Sequence, residues 1–171
     1  NPNFFLIFRH KLVISYKVMK NKYLSLLIIL LITFIAPMIG SYATTTFKEP
    51  WYSQIILPSF NPPSWVFAPV WSTLYFLMSF AIWKVWIKSF ETKLLKIYFI
   101  HLFFNSTWSV VFFGFHLIGI ALVNLVIILI FIIILMKEYF SKDKVSFYLM
   151  IPYLAWSSYA LILNSSIFLL N

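Results

Sequence analysis

Residues 58–75 read PSFNPPSWVFAPVWSTLY. Four prolines and two tryptophans stand here at the start of the uncharged apolar run Trp65–Trp83. Proline lacks the amide hydrogen that a helix interior uses, and it restricts the residue before it, so Pro58–Pro63 reads as stiff connection rather than helix body. Tryptophan at the head of an apolar run suits either a membrane–water interface or the rim of a binding site. Both readings stay open until the rest of the chain is placed around this stretch.

The run that follows it is one of several. A membrane-spanning helix needs about 20 apolar residues, and the chain supplies five such segments, with helices expected at about 23–42, 64–86, 94–115, 117–139 and 144–169. Hydrophobic residues make up 63% of the chain and charged residues only 10%, against about 25% charged in a soluble domain. The fold class is therefore all-α, an integral membrane bundle of five transmembrane helices. Residues 1–18 form an N-terminal extension to which no role is assigned, and 19–171 form the membrane domain, with loop 43–63 as a lid. The first apolar run could also be a cleaved signal peptide, with Ser41-Tyr42-Ala43 as a weak site, but it is long for that role. Gly114 to Gly119 marks a tight turn between the third and fourth spans, which should be antiparallel neighbours.

Charge supports the same count. The chain has 13 Lys and Arg, and with five spans twelve of them fall on one side, leaving Lys48 alone on the other. That bias orients the N-terminus to the cytoplasm and the C-terminus outside. It also accounts for the net charge of +9 without nucleic acid as a partner. The lipid bilayer is the expected partner, and the bacterial inner membrane the expected location, since no eukaryotic targeting segment is evident.

Depth along each helix, at 1.5 Å per residue, brings a set of polar and aromatic residues to one layer. Trp71 lies about 10 Å below the outer end of its span, and Asn124 at a similar depth. Trp108 and Trp156 reach the outer half from the other side, with Asn105 one turn deeper. His101, Asn105 and Trp108 follow i, i+4, i+7 and share one face of a helix. Tyr153, Trp156 and Ala160 form a similar stripe. An asparagine facing lipid is costly, so these stripes should face the bundle interior. Asn105 and Asn124 are then either interhelical ties or site residues. For Trp65, Trp83 and Trp86 the interfacial aromatic belt is the plainer reading. Trp71, Trp108 and Trp156 lie too deep for it, which leaves core packing or ligand stacking.

Trp51-Tyr52, Pro58-Ser59-Phe60-Asn61-Pro62-Pro63 and Trp65-Val66-Phe67-Ala68-Pro69-Val70-Trp71, followed by Leu74-Tyr75, resemble the first loop and second helix of the TspO/MBR family. Asn105 with Trp108, then Phe112-Phe113-Gly114, resemble its third helix, and Pro152-Tyr153-Leu154-Ala155-Trp156 with Ala160 and Asn164 its fifth. The resemblance implies a homodimer of five-helix bundles. It also implies binding of porphyrins, and in many members of sterols or benzodiazepine-type drugs, beneath the first loop. By resemblance the ligand would meet Trp51, Tyr52, Pro62, Trp71, Asn105, Trp108, Asn124, Leu125, Trp156 and Ala160. Some bacterial members are reported to degrade protoporphyrin in light using pocket tryptophans, and Trp71 and Trp156 match those catalytic positions. The chain departs from the family at Phe60 (usually Trp), Ala68 (commonly Gly), Ser106 (Trp in animal members) and Asn124 (acidic elsewhere). It carries no basic residue after Lys144, so the animal cholesterol motif is absent.

Other chemistry is excluded by residue type. The acids are Glu49, Glu91, Glu138 and Asp143, none inside an uncharged apolar run (the fourth run being Leu117–Met136), so no paired carboxylates are available for acid–base work. His10, His101 and His116 are too scattered for a metal site, and no cofactor is expected. His101 reads as a buried, hydrogen-bonded histidine rather than a haem ligand. The expected function is binding of a porphyrin or haem-type molecule as sensor, chaperone or transporter. Light-dependent porphyrin degradation is the first alternative, and a membrane scaffold without ligand the second.

Overall fold

The computed structural model describes residues 21–171; the N-terminal extension and Arg9, His10, Lys11, Lys17, Met19 and Lys20 lie outside the described residues. The described residues are helical almost throughout. The elements are α1 (Lys22–Phe47), the one-turn α2 (Trp51–Gln54), α3 (Ser64–Ser89), α4 (Thr92–Ser109), α5 (Ile118–Lys142) and α6 (Lys144–Leu170). All except α2 are long and apolar enough to cross a membrane, α4 together with the π-helical turn Val110–Gly114 that prolongs it. The protein is thus an integral, multi-pass membrane protein. Hydrocarbon offers the backbone no hydrogen-bond partner, so these runs rich in Leu, Ile and Phe must satisfy themselves as helices.

The helix ends have local causes. Asn21 caps α1, its Oδ1 accepting from the amides of Tyr23 at 3.1 Å and Leu24 at 3.2 Å. α1 runs on past Tyr42 to Phe47, and Pro50 follows as a residue that cannot continue it. α3 ends at Phe90, which is left-handed at φ 50° and returns its amide to the Trp86 carbonyl. The turn between α4 and α5 likewise takes its left-handed residue from His116, at φ 57°, and not from Gly114 or Gly119. A left-handed non-glycine residue is uncommon. Here the His116 ring lies stacked on Trp51, with centroids 4.4 Å apart and planes 14° from parallel.

In the bundle each spanning helix has two main neighbours, in the cyclic order α1–α3–α6–α5–α4. α1 thus lies between α3 and α4, which are consecutive in sequence. α4 and α5 are antiparallel neighbours across the tight turn. The lower half, where α3 ends and α4 begins, is filled by large side chains: Met78, Ile82, Tyr98, Ile132, Tyr139 and Met150 are all fully buried. Trp86 belongs to this core at 4% exposure, packed edge-on against Phe90. The belt reading of Trp86 is corrected accordingly: its helix face points inward even though its depth is interfacial. Trp65 is 74% exposed, and Trp83 donates its indole N–H to the Lys22 carbonyl at 2.8 Å.

Ion pairs tie the lower end, and Asp143 is the most buried member. Asp143, between α5 and α6, has a side chain only 6% exposed; Lys88 reaches its Oδ1 at 2.8 Å and Lys84 its Oδ2 at 3.7 Å. The Ser146 hydroxyl donates to Oδ2 at 2.7 Å. Burial works against the carboxylate, but the hydrogen bonds from Lys88 and Ser146 and the charges of both lysines outweigh it and hold Asp143 below the usual carboxylate range. A depressed folded-state value means that this stability is present at neutral pH and is lost as pH falls through it. Asp143→Asn should therefore lower stability by about 1.5–3 kcal/mol, the range for hydrogen bonds to charged groups. Thermal unfolding in a neutral detergent would measure it, and the variant should also show a shallower loss of stability toward acid pH than the parent. Equal melting of the two proteins at neutral pH would show that the Asp143 contacts contribute nothing.

Candidate functional site

The upper half of the bundle holds a cavity, to which three of the helices bring small side chains. α1 brings Ala36, Pro37, Gly40, Ser41 and Thr44; α3 brings Ala68 and Ser72; α6 brings Ser157 and Ala160. Gly40 lets α1 approach α4, since a Cβ there would lie 3.1 Å from the Ser109 hydroxyl. The result is a cavity of about 920 Å³ under the loop that carries α2. Its exposed lining residues are Met38, Ser41, Tyr42 and Thr45 on α1 and Ser64, Ala68 and Ser72 on α3. The mouth therefore lies between α1 and α3.

A hydrogen-bond chain forms the floor. Tyr75 on α3 donates to the Asn105 Oδ1 on α4. The Asn105 amide donates at 2.8 Å to the Tyr153 hydroxyl on α6, which stands 2.7 Å from His101 Nε2. Tyr153 thus accepts from Asn105 and shares a second hydrogen bond with His101. His101 and Tyr153 are fully buried and Asn105 nearly so. Beside them Thr33 and Tyr98 tie α1 to α4 at 2.8 Å.

Aromatic rings form the walls. Trp71 leans on Tyr75 with centroids 5.6 Å apart and meets Tyr153 edge-on at 6.2 Å. Trp156 packs between Phe67 at 6.0 Å and Tyr159 at 5.5 Å. Its buried indole N–H has no hydrogen-bond partner among the described residues. Trp108 stacks on Phe112 at 5.1 Å and donates to Asn164 Oδ1 at 3.3 Å.

The loop closes the top through specific contacts. Tyr159 donates to the Phe60 carbonyl at 2.7 Å. The Asn171 side chain pairs with the Ile56 backbone in both directions, at 2.9 and 3.0 Å. Tyr52 packs on Phe113 at 5.6 Å, and its hydroxyl reaches Asn61 Oδ1 at 3.4 Å. Burial pushes the Tyr52 phenol above its ordinary value; the bond to Asn61 opposes this and the charge of Glu49 adds to it. The phenol is therefore neutral at physiological pH and a donor.

Of the residues expected at the site, Tyr52, Trp71, Asn105, Trp108, Leu125, Trp156 and Ala160 line this one cavity. Trp51, Pro62 and Asn124 do not. Trp51 lies behind the wall, between His116 and Phe112. Pro62 lies in the loop outside the lining. Asn124 is turned to α4, where its amide donates to the Phe104 carbonyl at 3.2 Å and the Thr107 hydroxyl at 3.1 Å. That is the interhelical tie, one of the two roles open to it from sequence. The α1 contribution was not anticipated. Its signal is a small, polar stripe, Gly40, Ser41 and Thr44, interrupting a run of Ile and Leu.

Comparison with known proteins places this geometry. The model of the TspO/MBR family matches residues 27–170. "Tryptophan-rich protein TspO" of Archaeoglobus fulgidus is 34% identical over 134 residues, 77% of this chain and 87% of the relative. "Tryptophan-rich sensory protein" of Cereibacter sphaeroides is 35% identical over 144 residues, 83% of this chain and 91% of the relative. "Translocator protein" of Homo sapiens is 32% identical over 139 residues, 76% and 82% of the two chains.

The floor has its own test. Tyr153→Phe keeps the ring but removes a hydroxyl that joins Asn105 to His101. It should cost about 1–3 kcal/mol, the penalty for leaving buried polar groups unpaired, read as a lower melting temperature in detergent. No change in melting would mean that the chain does not brace the helices.

Proposed function

Because the chain belongs to the TspO/MBR family, we propose that it binds a porphyrin or related tetrapyrrole in the cavity between α1, α3, α4 and α6, and serves as a sensor, chaperone or transporter of it. The observation that carries this reading is that Trp71 and Trp156 both present indole rings to one apolar cavity of about 920 Å³. Pockets for compact organic ligands run to about 300–1,000 Å³ and combine apolar walls with a few fixed polar groups. Here those groups include the Asn105 and Asn164 side chains. The names of the relatives, one sensory and one a translocator, favour the sensor and transporter forms. The lysine-rich end faces the cytoplasm by the charge rule, which puts the cavity in the outer half of the membrane. A bacterial inner membrane and a homodimer complete the reading.

A second reading is light- and oxygen-dependent degradation of the bound porphyrin, with dioxygen as the oxidant. It is favoured by the same two tryptophans, since an indole beside an excited porphyrin can donate an electron.

Protoporphyrin IX should quench the protein's tryptophan fluorescence saturably. Trp71→Phe together with Trp156→Phe should weaken binding about tenfold, from lost stacking area worth about 0.7 kcal/mol at each ring. Asn124→Ala should leave affinity unchanged, because that side chain is turned away from the cavity. Non-saturable quenching, or full affinity in the double variant, would remove the cavity as the site. Illumination of the purified complex separates the two readings: a fading Soret band with a new product band supports degradation, and an intact spectrum excludes it.

A further inference from the structure

The cavity is lined by a single charged side chain among the described residues, Lys48. Lys48 follows the last turn of α1, at the mouth. Its ammonium is 3.4 Å from the Ser64 hydroxyl at the start of α3, so it bridges the two helices between which the cavity opens. It also sits 4.8 Å from the centroid of the Tyr52 ring. Its one acidic neighbour is Glu49, at 4.0 Å, whose side chain is 57% exposed. An exposed pair at that distance is weak. The side chain of Lys48 is 25% exposed, enough for a ligand group to reach it.

Position adds weight to this. All the other described lysines lie at the opposite end of the bundle, on or beside the lower ends of α1, α3, α4, α5 and α6. The end that holds the cavity has Lys48 alone, and it stands at the cavity's entrance. Among the described residues no carboxylate lines the cavity to neutralise it.

We infer that Lys48 is the anion anchor of the site: it holds a carboxylate of a flat, apolar ligand at the mouth while the ring system lies inside against Trp71 and Trp156. On binding, the ammonium leaves Ser64 or shares it, and the Ser64 hydroxyl is then free to donate to the same carboxylate. The contact sets orientation, with the acidic edge of the ligand toward the loop and its apolar edge toward the Asn105 floor. It also sets specificity, for acids over their neutral esters. The inference rests on the porphyrin reading above and names which porphyrins the site prefers.

The test compares protoporphyrin IX, a diacid, with its dimethyl ester, by fluorescence quenching in a neutral detergent with no anionic lipid. The parent should bind the diacid more tightly, and Lys48→Gln should weaken the diacid by about threefold to tenfold, as loss of one partly screened ion contact implies, with no effect on the ester. Lys48→Arg, which keeps the charge, should keep the preference. Added salt should weaken the diacid in the parent and not in Lys48→Gln. If Lys48→Gln changes both ligands equally or neither, the anchor is refuted while porphyrin binding stands. If neither ligand binds the parent, the porphyrin reading itself fails, and the anchor with it. Unchanged melting of Lys48→Gln would confirm that the comparison is between folded proteins.

Discussion

A buried amide inside hydrocarbon has no water to turn to, so Asn105 must be satisfied by its neighbours, and that requirement organises the centre of the bundle. It accepts from Tyr75 on α3 and donates to Tyr153 on α6. Three helices are held at one level by one side chain. Tyr153 passes the constraint to His101, one turn further down α4. Below this level the side chains are large and the helices close-packed. Above it α1, α3 and α6 bring small residues among the aromatic rings, and a space is left between the helices. Because the network is buried and each bond depends on its neighbour, it fixes orientation more firmly than apolar packing would.

The same logic divides what could be read from sequence from what could not. Five spans follow from length, apolarity and the one-sided lysines. The facing of His101, Asn105 and Trp108 follows from i, i+4, i+7 spacing, because a polar stripe has only one economical direction in a membrane. Depth counting is weaker, since it fixes height and not direction around the helix. Asn124 and Trp86 show this. Asn124 is at the height of the cavity but turned toward Thr107. Trp86 is at an interfacial height but turned into the core. The end of α1 is hidden for another reason: Thr44 and Thr45 fall in the stretch 43–63 that reads as loop. They are helical in the structure, with their hydroxyls satisfied by carbonyls one turn earlier. Turn geometry was hidden as well. The glycines near the α4–α5 turn suggest that one of them makes the bend, yet His116 takes the left-handed position and Trp51 covers it.

A cavity with its mouth between two lipid-facing helices poses a selection problem that a soluble pocket does not. In water, any apolar molecule gains by leaving solvent. In a bilayer the competing occupant is an acyl chain as apolar as the walls, so burial alone gives a ligand no advantage. Preference must come from what an acyl chain lacks: a flat π-face for Trp71 and Trp156, and a group that can meet the polar floor. These are the features that α3, α4 and α6 bring to this cavity, while α1 mainly provides room. The small residues of α1 thus determine how large an occupant can be, and the aromatic and amide groups opposite determine which occupant stays.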